Sequence, residues 1–206
     1  MFLRRTWWIA LAVLAGCDLG SLGEGSGPAI LGGRPGTRDP RTLIVGRAED
    51  AAYLDPARST DNESVEVLEQ IYQPLIRYRP GSTTLEPGLA SSWEVSPDGR
   101  RWTFHLVHGV RFHDGTPCDA DAVVFSLERQ RDPQHPFHRN DFLYWENLYR
   151  SVERIEKIDD HTVAITIERG YAPFAANMAM FPVAIVSPTA VALWGDAFWY
   201  HPVGTG

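Results

Sequence analysis

The chain has 206 residues, with 26 acidic side chains against 19 lysines and arginines and a formal charge of −7. That acidity argues against a nucleic-acid ligand, because such binders carry a basic excess, whereas 44% apolar residues and seven tryptophans suffice for a sizeable core. Cys17 and Cys118 are the only cysteines, which excludes a small secreted scaffold stapled by several disulfides.

At the start of the chain, Arg4 and Arg5 precede an apolar run from Trp7 to Ala15. Its nine residues cannot cross a hydrocarbon core that takes about 20, but they match the hydrophobic region of a secretory signal, about 7–15 residues. The run ends in Leu14-Ala15-Gly16-Cys17. This order resembles the bacterial lipoprotein signal, which implies removal of residues 1–16 and acylation of Cys17. Acyl chains hold a domain at a membrane surface without spanning it. Asp18 to Pro40 contain seven glycines and three prolines, so a flexible linker reaching about 25 Å is expected there. With Cys17 acylated, Cys118 has no disulfide partner and is expected to be a small buried residue.

Further along, Thr42-Leu43-Ile44-Val45-Gly46 reads as a buried strand. Asp61 or Asn62 is placed to cap a helix, in which Val65, Leu68, Ile71, Tyr72 and Leu75 form one apolar face and Pro74 forces a kink or an early stop. Ser96-Pro97-Asp98-Gly99 is a turn. Beyond it Trp102, Phe104 and Leu106 alternate with polar residues as one face of a strand. The turn His113-Asp114-Gly115-Thr116-Pro117 leads to a helix over Ala120 to Arg131 with Asp119 as its cap, and Val163, Ile165 and Ile167 alternate in a later strand. Without regular strand–helix–strand alternation, the fold class is α/β of the mixed α+β kind.

These pieces together resemble the family 5 extracellular solute-binding proteins, the dipeptide, oligopeptide and nickel receptors of ABC importers. In family order they are Leu54-Asp55-Pro56; Ile71-Tyr72-Gln73-Pro74-Leu75; Leu89-Ala90-Ser91-Ser92-Trp93-Glu94; and Asp98-Gly99 with Trp102-Thr103-Phe104-His105-Leu106. Gly109 to Pro117, Ala120 to Ser126 and Pro202-Val203-Gly204-Thr205-Gly206 complete them. The resemblance implies a periplasmic-binding-protein-like fold of type II. Residues 41–60 and 181–206 would be first-lobe segments, residues 61–180 a small inserted α+β domain, and the second lobe would be absent, as in an N-terminal fragment.

It also implies a function: a monomeric, cofactor-free lipoprotein, lipid-anchored outside the cytoplasmic membrane, that delivers peptides or a similar small solute to an ABC permease. Nickel chelates and oligosaccharides are the other ligands known in such receptors. In the peptide receptors the segment after Leu-Asp-Pro contacts ligand through its backbone, which makes Thr60, Asp61 and Asn62 the candidates here. Asp61 and Asn62 are equally suited to capping the helix that follows. Phe137 aligns loosely with a tyrosine that touches peptide in oligopeptide receptors, but lacks the hydroxyl. Phe112 to Gly115 is expected to be a scaffold turn around a buried aromatic.

Other chemistries find less support. A sensor or interaction domain on the same fold would need the same anchor and cleft. For a metal-dependent hydrolase, His105 and His108 would point to opposite faces of a strand, His113 lies in a turn, and His135 and His138 add no zinc-binding spacing. No Gly-x-Ser-x-Gly nucleophile elbow is present, so no catalytic residue and no metal ligand is assigned.

Overall fold

Four antiparallel strands in the order β3-β4-β6-β5 carry the main core: β3 Ala90–Val95, β4 Arg101–Leu106, β5 Val152–Asp159 and β6 Thr162–Ile167. The computed structural model describes residues 45–206; the signal segment, Cys17, the linker and Thr42 to Ile44 lie outside the described residues. Residues Gly46–Gly206 form one unit.

The sheet has one apolar and one polar face because its sequences alternate. Trp102, Phe104 and Leu106 of β4 are buried, and Phe104 stands opposite Val163 and Trp102 opposite Ile165 on β6. Ile167 and Ile155 extend the same layer. On the other face, Arg101 of β4 reaches Glu156 of β5 at 2.9 Å. The helix α2, Ala120–Arg131, packs across β5 and β6 and buries Ala122, Val123 and Leu127 against the apolar face. Its expected cap is present: the Asp119 carboxylate accepts from the amides of Asp121 and Ala122 at 3.1 and 3.2 Å. The helix ends on Arg129 and Arg131, cations placed where the helix dipole is negative.

A second cluster gathers around α1, Asn62–Ile71, and the short helix α4, Pro188–Trp194. Leu68 and Tyr72 meet Ala184, Val186, Val191 and Phe198 there. A two-stranded ribbon, β1 Ile76–Tyr78 and β2 Leu85–Pro87, and the one-turn helix α3, Phe174–Asn177, complete the elements named here.

Two sequence expectations need correction. Of the strand expected over Thr42–Gly46, only Val45 and Gly46 are described; they are irregular and Val45 is exposed. A β-branched run makes a strand only where a neighbour accepts its ladder, and among the described residues Val45 and Gly46 have none. The helix α1 stops at Ile71, so Leu75 is not on its face. Pro74 disfavours helical geometry in the residue before it, and Tyr72 already leaves the helix with an extended backbone. Leu75 instead enters the main core at the start of the ribbon.

Candidate functional site

The segment after Leu54 is shaped by one carboxylate. Asp55 accepts from the Ala57 amide through Oδ1 at 3.1 Å, while its carbonyl oxygen takes the amides of Arg58 and Ser59. The same side chain faces Arg129 of α2 with both oxygens, Nη2 to Oδ1 at 2.5 Å and Nη1 to Oδ2 at 3.0 Å. Only 3% of the Arg129 side chain and 7% of that of Asp55 are exposed, so this is a buried ion pair. The guanidinium also lies near the rings of Phe142 and Phe198, 5.3 and 5.8 Å from their centroids.

A second ion pair ties the segment to the loop beyond α2. Arg58 Nε donates to Asp141 Oδ2 at 2.7 Å, and its guanidinium sits 4.0 Å from the Tyr53 ring. Arg139 joins Asp141 at 3.2 Å and also pairs with Asp196. The backbone between Tyr53 and Asn62 is therefore clamped from several sides. Ser59 Oγ donates to the Asp55 carbonyl, and Ser64 Oγ of α1 accepts from the amides of Ala52 and Tyr53.

The four candidates from sequence fall into two places. Asp61 is the helix cap, its Oδ1 accepting from the Ser64 amide at 2.7 Å. Thr60 and Asn62 on either side are exposed, on a segment held rigidly from beneath. Phe137 lies in the loop after α2, half-buried against the second cluster, with its ring 5.9 Å from that of Phe125. The two segments are bridged by Arg58–Asp141 and Asp55–Arg129 rather than by direct contact of the candidates. Among the described residues, one hollow of about 720 Å³ lies beside α1 and the ribbon and another of about 590 Å³ at Pro133 and His138 to Asp141; neither is lined by Thr60, Asp61, Asn62 or Phe137.

The turn at Phe112–Gly115 does more than support a buried aromatic. Gly115 has φ of +82°, which the Asp-Gly pair permits. Asp114 Oδ2 accepts from Ser187 Oγ, the cap of α4, while its Oδ1 accepts from the Thr116 hydroxyl and amide. Burial opposes ionisation of this carboxyl, but the hydrogen bonds from Ser187 and Thr116 outweigh it and hold its pKa below the usual carboxylate range. Next to it, the His113 amide donates to the Gly204 carbonyl at 2.9 Å and its Nε2 to the Gly206 carbonyl at 2.8 Å.

The remaining histidines serve separate contacts. His105 faces Glu94, His108 lies tilted against His161 with centroids 3.8 Å apart, and His138 donates to the Arg129 carbonyl. His108 follows the end of β4, so its separation from His105 is not the strand alternation that the sequence suggested. Among the described residues no three metal-ligating side chains converge. Cys118 is buried, and burial pushes its thiol up to about 12, so the thiolate is suppressed. Sequence reading missed Arg129 and Asp141. For Arg129 a signal existed: it follows Ala122 and Ser126 at helical spacing on the buried face of α2, a place where a charge needs a partner.

Residues 84–206 match the family model described as bacterial extracellular solute-binding proteins, family 5, middle. The heme-binding protein A of Haemophilus influenzae is 35% identical over 201 residues, covering 91% of this chain and 36% of that protein. The di/tripeptide-binding protein 2 of Pseudomonas aeruginosa is 37% identical over 184 residues, covering 81% and 35%. Among solved structures, the ABC transporter-associated periplasmic binding protein DppA from Helicobacter pylori, in complex with the peptide STSA, superposes with a TM-score of 0.71 at 35% identity. That likeness covers 76% of this chain and 34% of the other. The chain thus spans about a third of the length of the relatives it matches.

Asp55→Asn leaves the Arg129 charge buried with a weaker partner and is expected to destabilise the fold by about 3–5 kcal/mol, the loss found when one partner of a buried pair is removed. Asp55→Leu with Arg129→Met should recover most of that loss. Urea unfolding of the three proteins decides it, and a loss under about 1 kcal/mol in the single variant would contradict a buried pair.

A pH dependence follows from Asp114. Its folded-state pKa is depressed, so its stabilisation is complete above the ordinary carboxylate value of about 3.9 and disappears as pH falls through the lower folded value. Asp114→Asn is expected to lower stability at pH 7 and to flatten this acid limb of the stability curve. An unchanged limb in denaturation midpoints between pH 5 and pH 2 would exclude it (a range spanning about a unit or more on either side of the ordinary value).

Proposed function

The chain belongs to the bacterial extracellular solute-binding proteins of family 5, and on that basis we propose that it serves peptide capture outside the cytoplasmic membrane for delivery to an ABC permease. The likeness to a peptide-bound binding protein carries this reading. Binding rather than catalysis is the task of the family. The mixed α/β architecture of type II periplasmic binding proteins is present in the described residues.

Thr60 and Asn62 support the reading from within the chain. A backbone that pairs with an extended ligand must be held before the ligand arrives, because ordering it on binding would weaken affinity. Here Asp55–Arg129 below and Arg58–Asp141 beside supply that order. Asp61 stays committed to its cap, so the ligand contacts are assigned to the Thr60 and Asn62 side chains and the backbone between them. Phe137 contributes apolar surface from the neighbouring loop. The division into first-lobe segments at 41–60 and 181–206 and an inserted domain at 61–180 belongs to the same proposal. So do the permease partner, the monomeric state and the lipid anchor at Cys17.

Calorimetric titration of the protein purified from its host with di-, tri- and tetrapeptides should give saturable micromolar or tighter binding. Thr60→Ala with Asn62→Ala should weaken it about tenfold, the equivalent of one hydrogen bond. Response to heme alone, or to no peptide, would overturn peptide capture. Anchoring is tested separately: Cys17→Ser should move the protein from the membrane to the soluble fraction and remove the acyl mass from its N-terminal peptide. Retention of the serine variant in the membrane would rule the anchor out.

A further inference from the structure

The loop after α2 is closed by two side chains that each hold the amide two positions further on. Asp132 Oδ1 accepts from the Gln134 amide at 2.9 Å, and His135 Nδ1 accepts from the Phe137 amide at 3.2 Å. Among the described residues the Phe137 amide has no backbone acceptor. A backbone N–H only donates, so His135 Nδ1 offers its lone pair and the ring proton sits on Nε2. That lone pair is also where a neutral imidazole takes up its second proton. Protonation of His135 and its bond to Phe137 therefore exclude each other. His138 behaves in the opposite way. Its Nδ1 faces the Arg129 carbonyl at 3.1 Å, which only accepts, so this nitrogen already carries a proton and charging the ring keeps the bond.

The His135 ring is wedged between α2 and Phe137. Its centroid lies 5.1 Å from that of Phe125 on α2 and 6.0 Å from that of Phe137. Burial and the Arg129 charge of α2 hold its pKa below 6.5, His138 acts in the same sense, and Asp132 opposes them. Further along the loop Arg139 and Asp141 are paired with each other. From α1 and α4 the cluster behind Phe125 and Phe137 presents apolar side chains and the Tyr72 phenol, which burial keeps neutral. The fold thus favours the neutral ring. Its stabilisation of the loop is complete above about 6.5 and is lost as pH falls through the lower folded value.

We propose that His135 is a pH-operated positioning residue for Phe137: the neutral ring holds the Phe137 amide, and the protonated ring releases it and weakens ligand capture in acid. The effect on ligand rests on the assignment of Phe137 to the ligand site, whereas the release of its amide does not. Asp132 makes the same kind of turn with a carboxylate, which stays ionised through the range in which a histidine titrates. Only the turn that carries Phe137 is therefore switched.

Nuclear magnetic resonance of the whole protein, with labelled histidine and phenylalanine, tests the release without any ligand. Between about pH 7.5 and pH 4.5, a range around the ordinary histidine value, the Phe137 amide resonance should move upfield with the midpoint of the His135 ring. His135→Asn places an amide oxygen where Nδ1 stood, and such an oxygen holds the same turn but does not titrate. Its Phe137 resonance should stay near the neutral-pH position throughout. His135→Ala should show the acid position at every pH. A Phe137 resonance that ignores the His135 midpoint, or that titrates equally in the asparagine variant, overturns the proposal. In calorimetry with the tightest binder among di- to tetrapeptides, acid should weaken binding about tenfold, roughly the worth of one hydrogen bond. The asparagine variant should lose that pH response. A resonance that titrates while peptide affinity stays constant refutes control of the ligand site. Absence of peptide binding at every pH refutes peptide capture instead, and the resonance still decides whether His135 releases Phe137.

Discussion

A carboxylate and a guanidinium withdrawn from water together, Asp55 and Arg129, fix where the N-terminal irregular segment meets the rest of the fold. The two residues are 74 positions apart in sequence. Taking both charges out of water costs several kcal/mol per ion, and their attraction offsets this only with good geometry and further hydrogen bonds. The pair meets that condition incompletely: Asp55 also takes the Ala57 amide, whereas Arg129 Nε has no hydrogen-bond partner among the described residues. Its contribution is therefore mainly one of position. The pair ties the 53–62 segment to α2, and the exposed residues Thr60 and Asn62 lie on the segment so tied.

Around that pair the loops are organised by charge rather than by regular structure. Arg58, Asp141, Arg139 and Asp196 form a chain of ion pairs from the segment, through the loop after α2, to the stretch after α4. Partly exposed pairs of this kind are individually weak, but a chain of them restricts which loop conformers coexist. His135 sits in the same region with its pKa lowered, by burial first and by the neighbouring Arg129 charge second, so it adds no further cation there at neutral pH.

Where residues 202–206 cross the fold, the limit is steric. The Gly206 amide donates to the Ile71 carbonyl, and a β-carbon on Gly204 would collide with that same carbonyl oxygen. Thr205 reaches Gln73, and the His113–Asp114 turn holds the stretch from its other side. The Val-Gly-Thr-Gly run is thus glycine-rich because backbone lies against backbone. Asp114, which also receives the cap of α4, joins its own turn to α4 at one carboxylate, while the adjacent His113 binds the 202–206 stretch. The family resemblance marked both stretches in the sequence without saying that they touch.

Local physics was legible without the fold. The helix over Ala120–Arg131 with its Asp119 cap, the early end of α1 before Pro74, the turns at Gly99 and Gly115 and the alternating strands β4 and β6 all follow from spacing, capping and backbone restriction among near neighbours. Asp61 as a cap was equally visible, because the group it satisfies lies three residues away. What the tertiary structure decided were the partners of long-range charges and strands. Whether Val45 joins a strand, whether Arg129 finds Asp55, whether Arg58 meets Asp141, and where Leu75 enters the main core depend on chain segments brought together only by packing. A one-dimensional pattern records that Arg129 is a charge on a buried face and therefore needs a counter-charge, but the choice of Asp55 among 26 acidic residues is made in three dimensions.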